Sequence, residues 1–228
     1  MNNVQQVSGI LYIVSTPIGN YRDITLRALD VLKAVDAVVC EEYRQGSTTL
    51  KKLGITGKKL ILLNEHNEKE GSSLIAQEIL DGKQYALISD CGTPAFADPG
   101  TRLIRLCLGY GLNVIPVPGV SSLMAAVSLS PLPMEEFHFA GFLPRKKEIR
   151  THKLDQLKRM RVPIILMDAP YRLMKLLAEV SSVFGNNRMV TLAFDLTLPD
   201  EKILHAPVCE IIKKMTDRKG EFILIVHP

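Results

Sequence analysis

Short apolar runs rich in β-branched residues alternate along this chain with longer stretches whose apolar positions recur every three or four residues. The runs at 10–14, 37–40, 60–63, 85–89 and 114–117 are almost continuously apolar. That pattern predicts strands of a parallel sheet covered on both faces, since a half-solvated strand would alternate. Between them, Leu26, Leu29 and Leu32 mark a helix with Asp23 as its N-cap. Leu74, Ile75 and Ile79 mark another, opened by Ser72 or Ser73, and Leu103, Leu106 and Cys107 a third, entered through Pro99-Gly100. Strand–helix alternation of this kind predicts an α/β architecture with right-handed crossovers.

Pro116-Val117-Pro118-Gly119 breaks the rhythm, because prolines restrict φ and cannot donate to a ladder. Beyond it the pattern predicts a small-residue helix at 121–130 and a proline-marked turn at 131–133. Strands follow at 137–142, 163–167, 189–194 and 221–226, and helices at 172–184 and 208–215. The expected organisation is two α/β domains. Residues 1–117 form a parallel-sheet domain and residues 118–228 a mixed-sheet domain.

Composition narrows the class. Of 228 residues, 46% are hydrophobic and 23% charged, which excludes a disordered chain and a disulfide-stapled miniprotein. No apolar run reaches the roughly 18 residues needed to cross a bilayer. The opening Met1-Asn2-Asn3-Val4-Gln5-Gln6 lacks the basic-then-apolar order of an export signal, so a soluble cytoplasmic protein is expected. Cys40, Cys91, Cys107 and Cys209 contain no C-x-x-C pair, so they read as buried reduced thiols and no metal site is expected.

In an open parallel sheet, ligands bind beyond the carboxyl ends of the strands, so those loops are the candidate site. The first, Ser15-Thr16-Pro17-Ile18-Gly19-Asn20, has one glycine and is neither a dinucleotide loop nor a P-loop; taken alone it reads more readily as a plain tight turn. The second runs from Ser89 through Asp90, Cys91, Gly92, Thr93, Pro94, Ala95, Phe96, Ala97, Asp98 and Pro99 to Gly100. Its glycines, prolines and aspartates make a rigid loop of small residues in which a carboxylate can hold a ribose hydroxyl or an ammonium group. The plainer reading has Asp90 capping a turn and Asp98 capping the next helix. Cys91 has no local base to make it a nucleophile. In the third, Gly119 permits close backbone approach, while Ser121 and Ser122 at a helix start present amides and hydroxyls or simply cap the helix.

These stretches together resemble the tetrapyrrole methylase superfamily, and more closely its small-subunit ribosomal RNA 2′-O-methyltransferase I family. The most specific pieces are the run from Leu11 to Asn20 with Asp23-Ile24-Thr25-Leu26-Arg27-Ala28-Leu29, and Glu65-His66-Asn67-Glu68. The 89–100 loop, Gly141-Phe142-Leu143-Pro144-Arg145-Lys146-Lys147 and Lys219-Gly220-Glu221-Phe222 complete them. The resemblance implies two domains with S-adenosylmethionine in a cleft between them, and a homodimer acting on ribosomal RNA of the small subunit. Cofactor contacts would fall on Pro17, Cys91, Gly92, Thr93, Phe96, Ser121 and Ser122, with Asp90 beside them. From the second domain, Met167 and an Ala193-Phe194 turn would close over the cofactor. The chain departs from the family's pattern at Glu41-Glu42-Tyr43-Arg44, at Met167-Asp168-Ala169-Pro170-Tyr171-Arg172 and at Phe194-Asp195-Leu196-Thr197-Leu198, which marks a diverged member.

Methyl transfer to a ribose hydroxyl needs alignment, exclusion of water and help for a poor nucleophile. Glu42, Arg44 and Asp23 are candidates for that help and are equally well read as surface charges. His66 and His138 are candidate bases or hydrogen-bonded structural histidines. The net charge is only +4, but basic residues concentrate in Arg145, Lys146, Lys147, Arg150, His152 and Lys153, continuing to Lys158, Arg159 and Arg161. They read either as phosphate contacts or as the wet face of an amphipathic helix carrying Leu154 and Leu157, and the resemblance favours RNA. Arg44 joins Arg145, Lys146 and Lys147 as a candidate substrate contact. Methylation of a tetrapyrrole or another small molecule, and a non-catalytic RNA-binding module, are the competing functions.

Overall fold

The computed structural model describes residues 9–96 and 98–228, so Met1 to Gln6 of the opening segment and Ala97 lie outside the described residues. The chain divides into two compact units, residues 1–121 and 122–228.

In the first unit, strands β1 (Ile10–Val14), β2 (Ala37–Cys40), β3 (Lys59–Leu62), β4 (Gln84–Ile88) and β5 (Asn113–Val117) alternate with helices. These are α1 (Leu26–Ala34), α2 (Tyr43–Lys52), α3 (Glu68–Leu80) and α4 (Thr101–Gly109). The sheet runs β3-β2-β4-β1-β5, and every pairing is parallel. The continuous apolar runs are explained by two cores, one on each face. Leu11, Val39, Tyr85 and Leu87 pack with Ile75, Ile79, Leu103 and Cys107 from α3 and α4. Val14, Val38, Ala86 and Ile88 pack with Ala28, Leu32 and Leu50 from α1 and α2.

Two helix starts differ from expectation. Asp23 closes a 3₁₀ turn, and Thr25 is the N-cap of α1, its hydroxyl accepting from the Ala28 N–H at 3.1 Å. Helix α3 begins at Glu68, a turn before Ser72 and Ser73. Its entry is a reciprocal pair in which Asn64 donates its N–H to Asn67 Oδ1 at 2.8 Å and Asn67 returns its own to Asn64 Oδ1 at 3.3 Å.

The second unit holds α5 (Ser122–Ser128), β6 (His138–Phe142), α6 (Lys147–Lys158), β7 (Ile164–Met167), α7 (Leu173–Phe184) and β8 (Met189–Phe194). It ends with β9 (Lys202–Pro207), α8 (Val208–Lys214) and β10 (Phe222–Val226). The sheet order is β6-β7-β10-β8-β9; β6 and β7 are parallel and the other pairs antiparallel. Leu154 and Leu157 of α6, Leu173, Leu176, Leu177 and Val180 of α7, and Ile211 of α8 cover one face of it.

Candidate functional site

Strands β4, β1 and β5 are neighbours in the first sheet and parallel, so their carboxyl ends and the loops that follow share one edge. Hydrogen bonds tie the three loops together. Thr16 donates its N–H to the Gly92 carbonyl at 2.8 Å and its hydroxyl to the Ser89 carbonyl at 3.1 Å. The Thr93 hydroxyl donates to the Val120 carbonyl at 3.2 Å and lies 3.1 Å from Ser15 Oγ. The Cys91 thiol points to the Ile18 carbonyl at 3.6 Å. A Cβ on Gly119 would come within 3.0 Å of Ser15 Cβ, and one on Gly92 within 3.3 Å of Ile18 Cγ2. Gly92 takes φ +81° in the middle loop at no steric cost, whereas Ala95, at φ +60°, holds left-handed backbone that its Cβ disfavours, a local cost met in ligand-binding segments.

Pro17 is buried under this junction, Asp90 and Ser121 are half-buried, and Cys91, Thr93 and Phe96 are exposed. Pro17, Asp90, Cys91, Gly92, Thr93, Phe96 and Ser121 thus all belong to the loops of one sheet edge. Two readings of side chains need correction. Asp98 is no helix cap; it accepts from the Ser89 hydroxyl at 2.5 Å, and Glu68 of α3 takes the Gly100 N–H at 2.9 Å at the start of α4. Cys91 is exposed, whereas Cys40 and Cys107 are buried and their thiols are pushed up to about 11 by that burial. His66 is exposed beside Glu65, and its backbone N–H donates to Asn64 Oδ1 at 3.1 Å.

The edge is acidic on the β2 side. Burial, and then repulsion from Asp90, Asp98, Glu65 and Glu42, raises the Glu41 carboxyl above its ordinary value. Burial also raises Asp90, against a hydrogen bond from the Glu42 backbone that lowers it and repulsion from Glu42 and Asp98 that adds to the rise. Asp90 Oδ1 is buried and has no hydrogen-bond partner among the described residues. A buried acceptor without a donor is costly, so it is suited to a hydroxyl or ammonium group of a ligand. Among the described residues, no group of three His, Cys, Asp or Glu is arranged to hold a metal. Asp23, Glu42 and Arg44 are exposed, Glu42 and Arg44 at the start of α2.

In the second unit, Met167 is half-buried at the end of β7 and Phe194 ends β8; β10 lies between those strands, so both residues sit at one sheet edge. Ala193 and Phe194 belong to strand, not to a turn, and the Phe194 ring is part of the core. Ser122 is the first residue of α5. Arg145 and Lys146, between β6 and α6, and Lys147, the first residue of α6, are exposed. Arg150 is different: it is 1% exposed and pairs with Asp168 at 2.7 Å and Glu179 at 2.6 Å, so it is not a surface cation. Charge patterning could not separate it from its neighbours. Nor does the Glu65-His66-Asn67-Glu68 motif disclose from sequence that Glu68 accepts the N–H groups at the start of α4.

Known proteins share both the sequence pattern and the fold of this chain. Residues 10–212 match the family described as Tetrapyrrole (Corrin/Porphyrin) Methylases. Ribosomal RNA small subunit methyltransferase I of Vibrio cholerae is 39% identical over 222 residues, spanning 96% of this chain and 77% of that protein. Its namesake from Escherichia coli O157:H7 is also 39% identical, over 96% and 78%. Among solved structures, diphthine synthase superposes with a TM-score of 0.75 at 15% identity, over 96% of this chain and 90% of that one. Uroporphyrin-III C-methyl transferase from Thermus thermophilus, complexed with S-adenosyl homocysteine, gives 0.66 at 20%, over 96% and 97%. The chain belongs to the tetrapyrrole methylase family and, within it, to the family of ribosomal RNA small subunit methyltransferase I. It is a methyltransferase.

Proposed function

We propose that this methyltransferase transfers the methyl group of S-adenosylmethionine to the 2′-hydroxyl of a cytidine ribose in small-subunit ribosomal RNA. The rRNA substrate rests on the names of relatives that are 35–39% identical over nearly the whole chain. The observation that carries the donor site is the convergence of loops 15–20, 89–100 and 118–121 on one sheet edge, with the unsatisfied Asp90 Oδ1 among them. These residues fit the donor: Asp90 accepts from a ribose hydroxyl or an ammonium group, Thr93 and Ser121 offer hydroxyls, and Gly92 keeps side-chain bulk out of the junction. Pro17, Cys91 and Phe96 line the same loops. When bound, S-adenosylmethionine supplies an electrophilic methyl group with a neutral thioether behind it.

The remaining contributions belong to the chain itself. Rigid loops align the acceptor hydroxyl and keep water away, which is most of what an in-line displacement requires. Arg145, Lys146 and Lys147, with Arg44, hold the phosphates of the RNA. No helix among the described residues is long and apolar enough to cross a membrane. Kinship with bacterial ribosomal RNA methyltransferases supports action in the cytoplasm, and the homodimer is carried over from the family resemblance. The test is transfer of radiolabelled methyl from S-adenosylmethionine to small ribosomal subunits from cells lacking the gene, with the labelled nucleotide then mapped. Label on a cytidine ribose is expected; label on a base, or none, overturns the assignment.

A further inference from the structure

Arg150 sits in the most basic stretch of the chain, yet its side chain is buried. It projects from the first turn of α6, just after Arg145, Lys146 and Lys147. Its Nη2 forms an ion pair with Asp168 Oδ2 at 2.7 Å, immediately beyond the end of β7. Its Nε donates to Glu179 Oε2 of α7 at 2.6 Å, and its Nη1 reaches back to the Leu143 carbonyl at 3.5 Å. The three exposed cations therefore lie in the short connection and at the first residue of α6, flanked by Leu143 and Arg150, two points held by the same guanidinium.

Only a planar fork with several donors can meet partners in three directions at once; a lysine ammonium on a flexible stem cannot. Both carboxylates keep other partners. Asp168 Oδ1 accepts from the Ala169 N–H at 2.9 Å and faces Arg172 at 3.7 Å, while Glu179 faces Lys175 at 3.9 Å. Removing the guanidinium would loosen the connection and also leave Asp168 Oδ2 buried without its ion-pair partner, a cost in stability, so binding has to be read on folded protein.

We propose that Arg150 is a positioning residue for RNA: it touches no phosphate itself but fixes the 143–147 connection so that Arg145, Lys146 and Lys147 engage the backbone together. This rests on the ribosomal RNA reading above, in which those three residues bind phosphate. A connection free to move would pay an ordering cost on binding, and its cations would make fewer simultaneous contacts.

The experiment measures binding of in-vitro transcribed small-subunit ribosomal RNA as a function of salt, on the full chain and below its melting temperature. Arg150→Gln and Arg150→Lys are each expected to weaken binding about tenfold. They should also flatten the dependence of log affinity on log salt by up to about 2, as loss of three phosphate contacts to single-stranded RNA would. Glu179→Gln, which removes one anchor and leaves the arginine, should give a smaller change of the same kind. In an Arg145→Ala, Lys146→Ala, Lys147→Ala background, Arg150→Gln should have little further effect, because the two perturbations act through one set of contacts. A purely structural role would leave the salt slope alone and would add fully in that background; either result overturns the proposal. If the triple variant itself binds as tightly and as steeply as the unsubstituted protein, the phosphate-contact reading falls, and this proposal with it.

Discussion

Ser15 Oγ and Thr93 Oγ1 stand 3.1 Å apart although 78 residues separate them in the chain. They meet because β1 and β4 are adjacent and parallel, so the residues after each strand emerge side by side. Thr93 also donates to the Val120 carbonyl, and one hydroxyl thereby joins all three loops of the proposed donor site. Thr93→Val keeps the shape and removes both bonds. Loss of about 1 kcal/mol of stability per bond is expected, with a roughly tenfold weaker affinity for S-adenosylmethionine, about 1.4 kcal/mol. Chemical denaturation and calorimetry measure the two, and unchanged values of both would detach Thr93 from the site.

Asp90 carries a functional group at a cost to the fold. Its carboxyl is raised by burial and by acidic neighbours, so the stability it contributes is present when it is protonated and is lost as pH rises through its folded-state value. Asp90→Asn should therefore melt at the same temperature or higher near pH 8, yet bind S-adenosylmethionine about tenfold more weakly, as expected for a lost charge-assisted hydrogen bond. Tight donor binding by this variant would remove Asp90 from the cofactor set.

Lys146 stands exposed at the cap position of α6 and has no part in the first unit's loops. Lys146→Glu is expected to weaken binding of small-subunit RNA several-fold at low salt, less at high salt, while leaving donor affinity unchanged. Filter binding at two salt concentrations checks it. Equal RNA affinity at both would argue that the basic stretch is only a solvated helix face.

His227 gives the second unit a pH-sensitive core. It is 2% exposed, its Nε2 lies 2.8 Å from Thr191 Oγ1, and the same hydroxyl lies 2.9 Å from His205 Nδ1. Burial, and then the charge of His205, pushes its pKa down to about 4. The neutral ring is favoured by folding, so the associated stability is full above the ordinary histidine value of about 6.5 and is lost as pH falls through about 4, in all about 3 kcal/mol. Urea unfolding between pH 7.5 and 4 should show this extra loss in the unsubstituted protein and not in His227→Gln. Parallel curves would contradict it.

The hydrophobic pattern made the parallel sheet legible because both faces of each central strand are covered, and β1, β2 and β8 have the bounds expected from it. Two elements were not visible. Helix α2 is mostly polar, and it docks through Gly46, where a Cβ would strike Cys40 Sγ at 2.8 Å, a close approach that looks like a breaker in sequence. Strand β9 is an edge strand pairing only with β8, with mostly half-buried side chains, so it lacks the apolar signature of its neighbours. At the site, proline, glycine and aspartate after strands identified the loops. Partnership between loops was not readable, because which strands are neighbours is decided by the fold; this is also why Asp98 read as a cap and Arg150 as a surface cation.

The most direct measurement is calorimetric titration of S-adenosylmethionine into the full chain and into Thr93→Arg, with circular dichroism confirming that both are folded. One binding site per chain in the unsubstituted protein, and no detectable heat in the variant, is the expected result, since an arginine at the junction of the three loops fills the space the donor needs. Equal affinity in the two proteins would contradict the placement of the donor on these loops.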